Sequence, residues 1–289
     1  MPETLQDVQQ FPRTARLSAK VHRVLGLNPS PFTGPGTNTY LVGMDGGTPL
    51  LLDTGSGVPG WLKLLQEHLR TEHAPPLARC LVTHAHGDHI GGVPDVSHAM
   101  PGLSVHKLPW PGRDEHCPVP VMPLAAGEVI RGEGYTLHAL HTPGHAPDHL
   151  CFLLEEERAL FTGDVVLGVG TTVIPLDGGD LGQYLASLRR LLTLDVQRIY
   201  PGHGPVIENA REKITAYLEH RLERERQILA ELAGPSRTVE EIVGSIYRMY
   251  PKNLHAAAGQ SVLSHLIKLE REGRVARDAG QPPRFSLLG

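Results

Sequence analysis

An α/β layered domain followed by a smaller helical module is the fold class this sequence predicts, on three observations. Short apolar runs rich in Leu and β-branched residues recur between segments of helical period. Apolar residues make up 40% of the 289-residue chain, enough to bury a full core without staples. Past residue 212 the short runs give way to nearly continuous helical pattern with charge-rich stretches such as 219–227. The expected boundaries are 1–211 for the first domain and 212–289 for the second.

Taken in chain order, Arg13, Arg16, Lys20 and Arg23 form an acid-free stretch. Glu3 and Asp7 lie just upstream, unlike a transit peptide, so this segment reads as a strand leading into the fold. Thr39–Val42, Leu50–Leu52, Cys80–Val82, Leu150–Leu154 and Ala159–Phe161 read as strands. Tyr135, Leu137 and Ala139 alternate with Thr136, His138 and Leu140, the period of a sheet partly covered on both faces. Trp61, Leu62, Leu64, Leu65 and Leu69 form one helical stripe, and Leu181, Tyr184, Leu185, Leu188, Leu191 and Leu192 another. The Gly/Pro-rich Met100–Pro123 segment reads as a long surface loop. In the second module a long helix runs to Leu232. A helix over Thr238–Tyr250 follows, with Val239, Ile242, Val243 and Ile246 inward. A third helix over Val262–Glu272 ends at Gly273, and Arg274–Leu288 suits a β-ribbon. Helix, helix, ribbon is the order of a winged helix.

Charge and cysteine content exclude several classes. Residues 211–289 hold 13 Lys+Arg against 10 Asp+Glu, leaving 14 against 21 in the rest, so neither half is strongly basic. No run approaches the ~18 apolar residues of a membrane span, and no secretory signal opens the chain. The expectation is an intracellular protein, not secreted and without a membrane partner. Cys80, Cys117 and Cys151 have no zinc-type spacing and read as buried thiols.

The chemistry concentrates in Cys80–Gly92, an apolar strand that runs straight into His84, His86, Asp88 and His89. In an extended chain His84 and His86 project to one side and can share an ion. Gly87 lets the backbone turn so that Asp88 and His89 face a second ion beside the first. His145, Asp164 and His203 each follow an apolar run and sit directly after a glycine, repeating the order strand, tight turn, ligand. This N/O donor set suits two Zn2+ ions with room left for water, and Mn2+ or Fe would also be accepted.

These motifs resemble the metallo-β-lactamase-fold hydrolases, whose αββα sandwich the resemblance implies for the first domain. It also implies that His84, His86 and His145 hold the first metal, that Asp88, His89 and His203 hold the second, and that Asp164 bridges them. Asp53, in Leu52–Gly55, matches a family acid that supports the metal loop, although a turn-forming Asp explains that position equally well. The match is closer to the lactamase-beta-like protein 2 group, through Asn28–Pro31, Gly36–Gly43, Gly170–Thr172, Ile199–Val206 and the winged-helix tail. Animal members of that group are single-strand-specific endoribonucleases of the mitochondrial matrix, and relatives in fungal biosynthesis are thioesterases, so the resemblance implies a cytoplasmic or mitochondrial-matrix protein. The sequence departs from the pattern in Pro101–Pro123 and Asp177–Asp180, which leaves the substrate open.

The leading expectation is therefore a dinuclear zinc hydrolase, most like an endonuclease cleaving single-stranded RNA with a metal-bound hydroxide that Asp88 orients. Arg221, Arg224, Arg248, Lys252, Lys268, Arg271 and Arg274 are the candidate RNA-binding groove. One alternative is a zinc hydrolase of a small ester, thioester or lactam. Another is a metal-stabilised nucleic-acid-binding protein using the winged helix. Asn38 is a candidate polar donor to substrate, with local backbone bonding the stronger reading. His141 and His149, flanking the His145 turn, are expected to support rather than ligate.

Overall fold

A computed structural model describes residues 11–288. The chain divides into two compact units, one built chiefly from 11–142, 147–172 and 194–213, the other chiefly from 173–193 and 214–288.

The first unit contains two sheets. Strands β1 (Thr14–Arg16), β2 (Val21–Leu25), β3 (Asn38–Val42), β4 (Leu50–Leu52), β5 (Arg79–Leu81), β6 (Ser104–Lys107) and β7 (Met122–Pro123) lie in sequence order in one of them. Their pairing is antiparallel up to β4 and parallel from β4 to β7. Strands β8 (Val129–Gly132), β9 (Tyr135–His141), β10 (Leu150–Leu154), β11 (Ala159–Gly163) and β12 (Arg198–Pro201) form the other, antiparallel except for β11 beside β12.

The two sheets face each other across a shared core. Val21, Tyr40, Leu52 and Leu81 from one meet Leu137, Leu150, Phe152 and Phe161 from the other. On its opposite face the first sheet buries Val24, Leu41, Leu51 and Cys80 against helix α1 (Trp61–Thr71) and helix α3 (Val93–Ala99). Trp61, Leu65 and Leu69 supply the apolar face of α1, at the spacing read from sequence. A single turn, α2 (Gly87–Ile90), lies between them in the chain and carries Asp88 and His89.

The expected loop over Met100–Pro123 is partly strand. Ser104–Lys107 pairs with β5 and alternates half-buried and buried residues, a period too short to detect among the prolines around it. Cys80 and Cys151 are buried thiols as expected, whereas Cys117 is only half-buried because it lies in that connecting segment.

The second unit comprises α4 (Leu181–Leu191), most of α5 (Ala210–Glu231), α6 (Val239–Ile246), α7 (His255–Arg271), β13 (Val275–Arg277) and β14 (Phe285–Leu287). Its core joins Ile228, Leu232, Ile242, Val243, Val262, Leu266, Leu269, Val275 and Phe285. Thr238 opens α6 with a reciprocal capping box to Glu241. That helix is shorter than expected, stopping at Ile246 before Pro251, and α7 begins earlier than expected, at His255. Segment 173–193 groups with these helices rather than with the first 211 residues. Ser264 Oγ donates to the Ile174 carbonyl at 3.2 Å, and Arg271 Nη1 donates to Asp180 Oδ2 at 2.5 Å. Among the described residues no helix is long and apolar enough to cross a membrane.

His265 on α7 makes this unit acid-sensitive. Burial, reinforced by Arg221, Lys268, Arg224 and His220, lowers its pKa from 6.5 to about 3. Between those values the unfolded chain binds a proton that the folded unit refuses. The stability this one group contributes is thus complete above pH 6.5 and is lost progressively as pH falls toward 3. Urea midpoints measured from pH 7 to pH 4 should fall less steeply in His265→Leu than in the wild type.

Candidate metal centre

Four strands end at the site. His84 and His86 follow β5, the His145 turn follows β9, Asp164 follows β11, and His203 follows β12. Placing ligand-type side chains just past strand ends fixes them more rigidly than a free loop can. His84, His86 and His145 each offer one nitrogen, and these atoms all lie within 4.8 Å of one another. Asp88, His89, Asp164 and His203 form a second group on the same criterion. Every ligand-type residue read from the sequence is therefore in one of two clusters.

The second cluster has the dimensions of a metal cage. His203 Nε2 lies 3.2 Å from Asp88 Oδ2 and 3.1 Å from Asp164 Oδ1. His89 Nε2 lies 3.6 Å and 3.2 Å from the same two oxygens. A tetrahedral ion with bonds of 2.0–2.2 Å separates its ligand atoms by about 3.4 Å. The buried His89 Nε2 makes no well-aligned hydrogen bond among the described residues, although two carboxylate oxygens are close. Such a group needs an explanation, and a cation between these atoms supplies one. In the first cluster His84 Nε2 and His86 Nδ1 stand 2.9 Å apart.

The electrostatics favour a cation at the same place. Burial opposes charge on His89, but Asp88, Asp164 and Asp53 together outweigh it and hold the imidazole well above its ordinary pKa. His203, opposed by burial and favoured by Asp164 and Asp88, is raised to about 9. Burial disfavours the Asp164 carboxylate, yet His203 and His89 hold it well below the usual range. A divalent ion would compete with protons for these lone pairs, so its binding releases protons.

Supporting bonds orient the cluster. The Asp53 carboxylate accepts from the Thr83 backbone N–H at 2.7 Å and faces His89 Nδ1 at 2.8 Å. With the proton on Nδ1, His89 presents its Nε2 lone pair to the other ligand atoms. Asp53 itself adopts the left-handed region at φ 59°. His145 Nδ1 donates to the Val173 carbonyl at 2.7 Å, which leaves its other nitrogen to ligate in the same way. His149 Nε2 accepts from the Asp164 backbone N–H at 3.1 Å, and His141 Nε2 donates to the Pro147 carbonyl at 2.8 Å. Gly202 leaves the space that Asp164 occupies, since a Cβ there would stand 2.8 Å from Asp164 Oδ1.

Two features depart from the sequence reading. Asn38 donates both amide protons to the carbonyls of Pro201 and Gly204, at 2.9 and 2.8 Å. Buried and so engaged, it holds the His203 loop in place, and its donors do not face a substrate. The second feature is a buried pair that sequence reasoning missed. Lys107 Nζ donates to Asp148 Oδ2 at 2.8 Å, and that oxygen also accepts from the Ala85 N–H, between His84 and His86. Lys107 sits in the segment read as loop, and nothing in its neighbourhood marks it as buried.

Five of the seven basic residues expected to bind RNA are buried or paired with acids. Arg221 and Arg224 are buried, and Arg224 lies over the Tyr247 ring. Lys268 and Arg274 pair with Glu225, and Arg271 pairs with Asp180. Arg248 and Lys252 are exposed.

Comparison with known proteins matches the metallo-beta-lactamase superfamily model to residues 32–203 and a beta-lactamase associated winged helix model to residues 238–281. The chain belongs to the metallo-beta-lactamase superfamily. This family membership makes it a hydrolase fold of the αββα type with a C-terminal winged helix. Among relatives, lactamase-like protein vrtG of Penicillium aethiopicum is 41% identical, over 96% of this chain and 90% of that protein. An atrochrysone carboxyl ACP thioesterase of Aspergillus chevalieri matches at the same identity and the same two coverages. Among solved structures, the metallo-beta-lactamase family protein TTHA1429 of Thermus thermophilus is 26% identical with a TM-score of 0.77, covering 94% of this chain and all of that one. TTHA1623, solved in a di-iron-bound form, is 31% identical with a TM-score of 0.52, over 66% of this chain and 96% of that one.

Proposed function

We propose that this superfamily member hydrolyses an acyl thioester, with the acyl group carried on an acyl carrier protein or a related pantetheine thiol. The observation that carries this reading is the 41% identity, over nearly the whole chain, to a protein named as an ACP thioesterase. The pairing of Lys268, Arg271 and Arg274 with acids also favours it over single-stranded RNA, because a phosphate backbone would have to displace those carboxylates. The RNA subgroup expected from the sequence has no counterpart in the names of these relatives.

In this reading His84, His86 and His145 would hold one metal, and Asp88, His89, Asp164 and His203 would hold another. Zinc suits the donor set, and iron suits it too, as the di-iron form of TTHA1623 illustrates. A metal pair at such a site acidifies water and polarises a carbonyl.

The chain's own residues then orient and move a proton. Asp88 is the most exposed of its cluster, with 28% of its side chain accessible, whereas His89 is fully buried. Its carboxylate can therefore take a proton from water and pass it to the departing thiolate. Asp53 keeps the His89 ring from turning away and His149 holds the backbone of the Asp164 turn, so both are fixed before substrate arrives.

The test pairs an acyl-S-pantetheine or acyl-ACP substrate with single-stranded RNA, each assayed across a salt series. Thioester cleavage by the metal-loaded protein, changing less than ~3-fold between 50 and 200 mM salt, is expected. RNA cleavage that falls ~1000-fold over the same range, with the thioester intact, would reverse the assignment.

A further inference from the structure

We propose that His22, His68 and Glu72 form a separate transition-metal site of the zinc type, which ties strand β2 to the C-terminal end of helix α1. All three residues lie in the first unit, and none belongs to the two clusters above.

The juxtaposition is specific. His68 and Glu72 are four residues apart at the end of α1, so their side chains leave the same face of the helix. His22 is the second residue of β2 and is buried to 1% exposure. Its Nδ1 lies 3.1 Å from His68 Nε2 and 3.9 Å from Glu72 Oε2. One ligand-type atom from each residue lies within 4.8 Å of the other two. Two imidazole nitrogens facing each other with a third donor closing the triangle is also the arrangement of His84 and His86 with His145.

The chemistry fits an ion. Burial lowers the pKa of both His22 and His68, against a smaller opposing pull from Glu72, so both rings are in the neutral form that ligates. Arg16, the cross-strand neighbour of His22, adds a positive charge that works against a cation. The Glu72 carboxylate, 32% accessible, offsets that charge and leaves a route for entry. Two nitrogens and one carboxylate oxygen, with a fourth position open to water, match the donor preferences of Zn2+. Copper, nickel and cobalt would occupy the same set in the order of their general affinities. The competing explanation is a simple hydrogen bond between two imidazoles, with Glu72 as a loose neighbour.

Zinc titration of the full-length apo-protein against a chromophoric chelator separates the two. Wild type should bind one more zinc ion per chain than His68→Ala, and in Glu72→Gln that ion should bind at least ~10-fold more weakly. Thioester hydrolysis should be unchanged in both variants. The readout is a difference between proteins, so it stands or falls whatever the Asp164 centre holds. Equal ion counts and equal affinities in wild type and Glu72→Gln would overturn the site. Glu72 is at the surface, so that comparison decides even where His68→Ala is unstable.

Discussion

Asp164→Asn should reduce thioester hydrolysis at least ~100-fold while leaving the fold intact. The substitution keeps size and shape but removes one of the two carboxylate charges in the cluster of Asp88, His89, Asp164 and His203. Asp164 Oδ1 stands 3.2 Å from His89 Nε2 and 3.1 Å from His203 Nε2, so its charge acts on both imidazoles at once. A neutral amide there weakens cation binding and presents an N–H toward nitrogens that need an acceptor or a metal. The backbone N–H of residue 164 still donates to His149, so the turn has no reason to collapse. The readout is kcat at saturating substrate together with metal content per chain, and a variant within ~3-fold of wild type in both would count against the assignment.

Lys107→Met should cost about 3–5 kcal/mol of stability. Both members of the Lys107–Asp148 pair have fully buried side chains, and Lys107 also reaches Asp114 Oδ1 at 2.7 Å. Burial already pushes the Asp148 carboxyl up, with Lys107 offsetting only part of that shift. Removing the ammonium strands a buried acid, and the loss propagates to the Ala85 N–H that Asp148 holds. The double variant Lys107→Met with Asp148→Asn should recover part of the loss, because the amide can still accept from Ala85 without a charge. Urea denaturation of the three proteins measures this, and equal midpoints in wild type and Lys107→Met would contradict it.

Which parts were legible from sequence follows from where the information lies. Each of the seven ligand-type residues stands next to a glycine or inside one short run after an apolar strand, so local pattern alone marks them as candidates. Strands such as Leu50–Leu52 and Leu150–Leu154 are continuous apolar runs because they are buried on both faces, and they needed no further signal. Lys107 and Asp148 were illegible because an ion pair 41 residues apart leaves no periodic trace. Ser104–Lys107 was hidden among prolines that punctuate its flanks without entering the strand. The basic residues of the C-terminal unit misled for a related reason. Arg271 and Asp180 are distant in sequence, so charge that is neutralised in the fold counts as free in a linear reading. His22 carried no signal at all, since its companions His68 and Glu72 lie on a helix whose other side chains explain that segment fully.

In the proposed reaction these imidazole and carboxylate groups act by holding metal. The most direct measurement is thioester hydrolysis before and after exhaustive chelation, with elemental analysis of the same samples. The metal-free protein should lose at least ~100-fold of the rate and recover it on adding back Zn2+ or Fe2+. Undiminished hydrolysis by protein shown to be metal-free would contradict it.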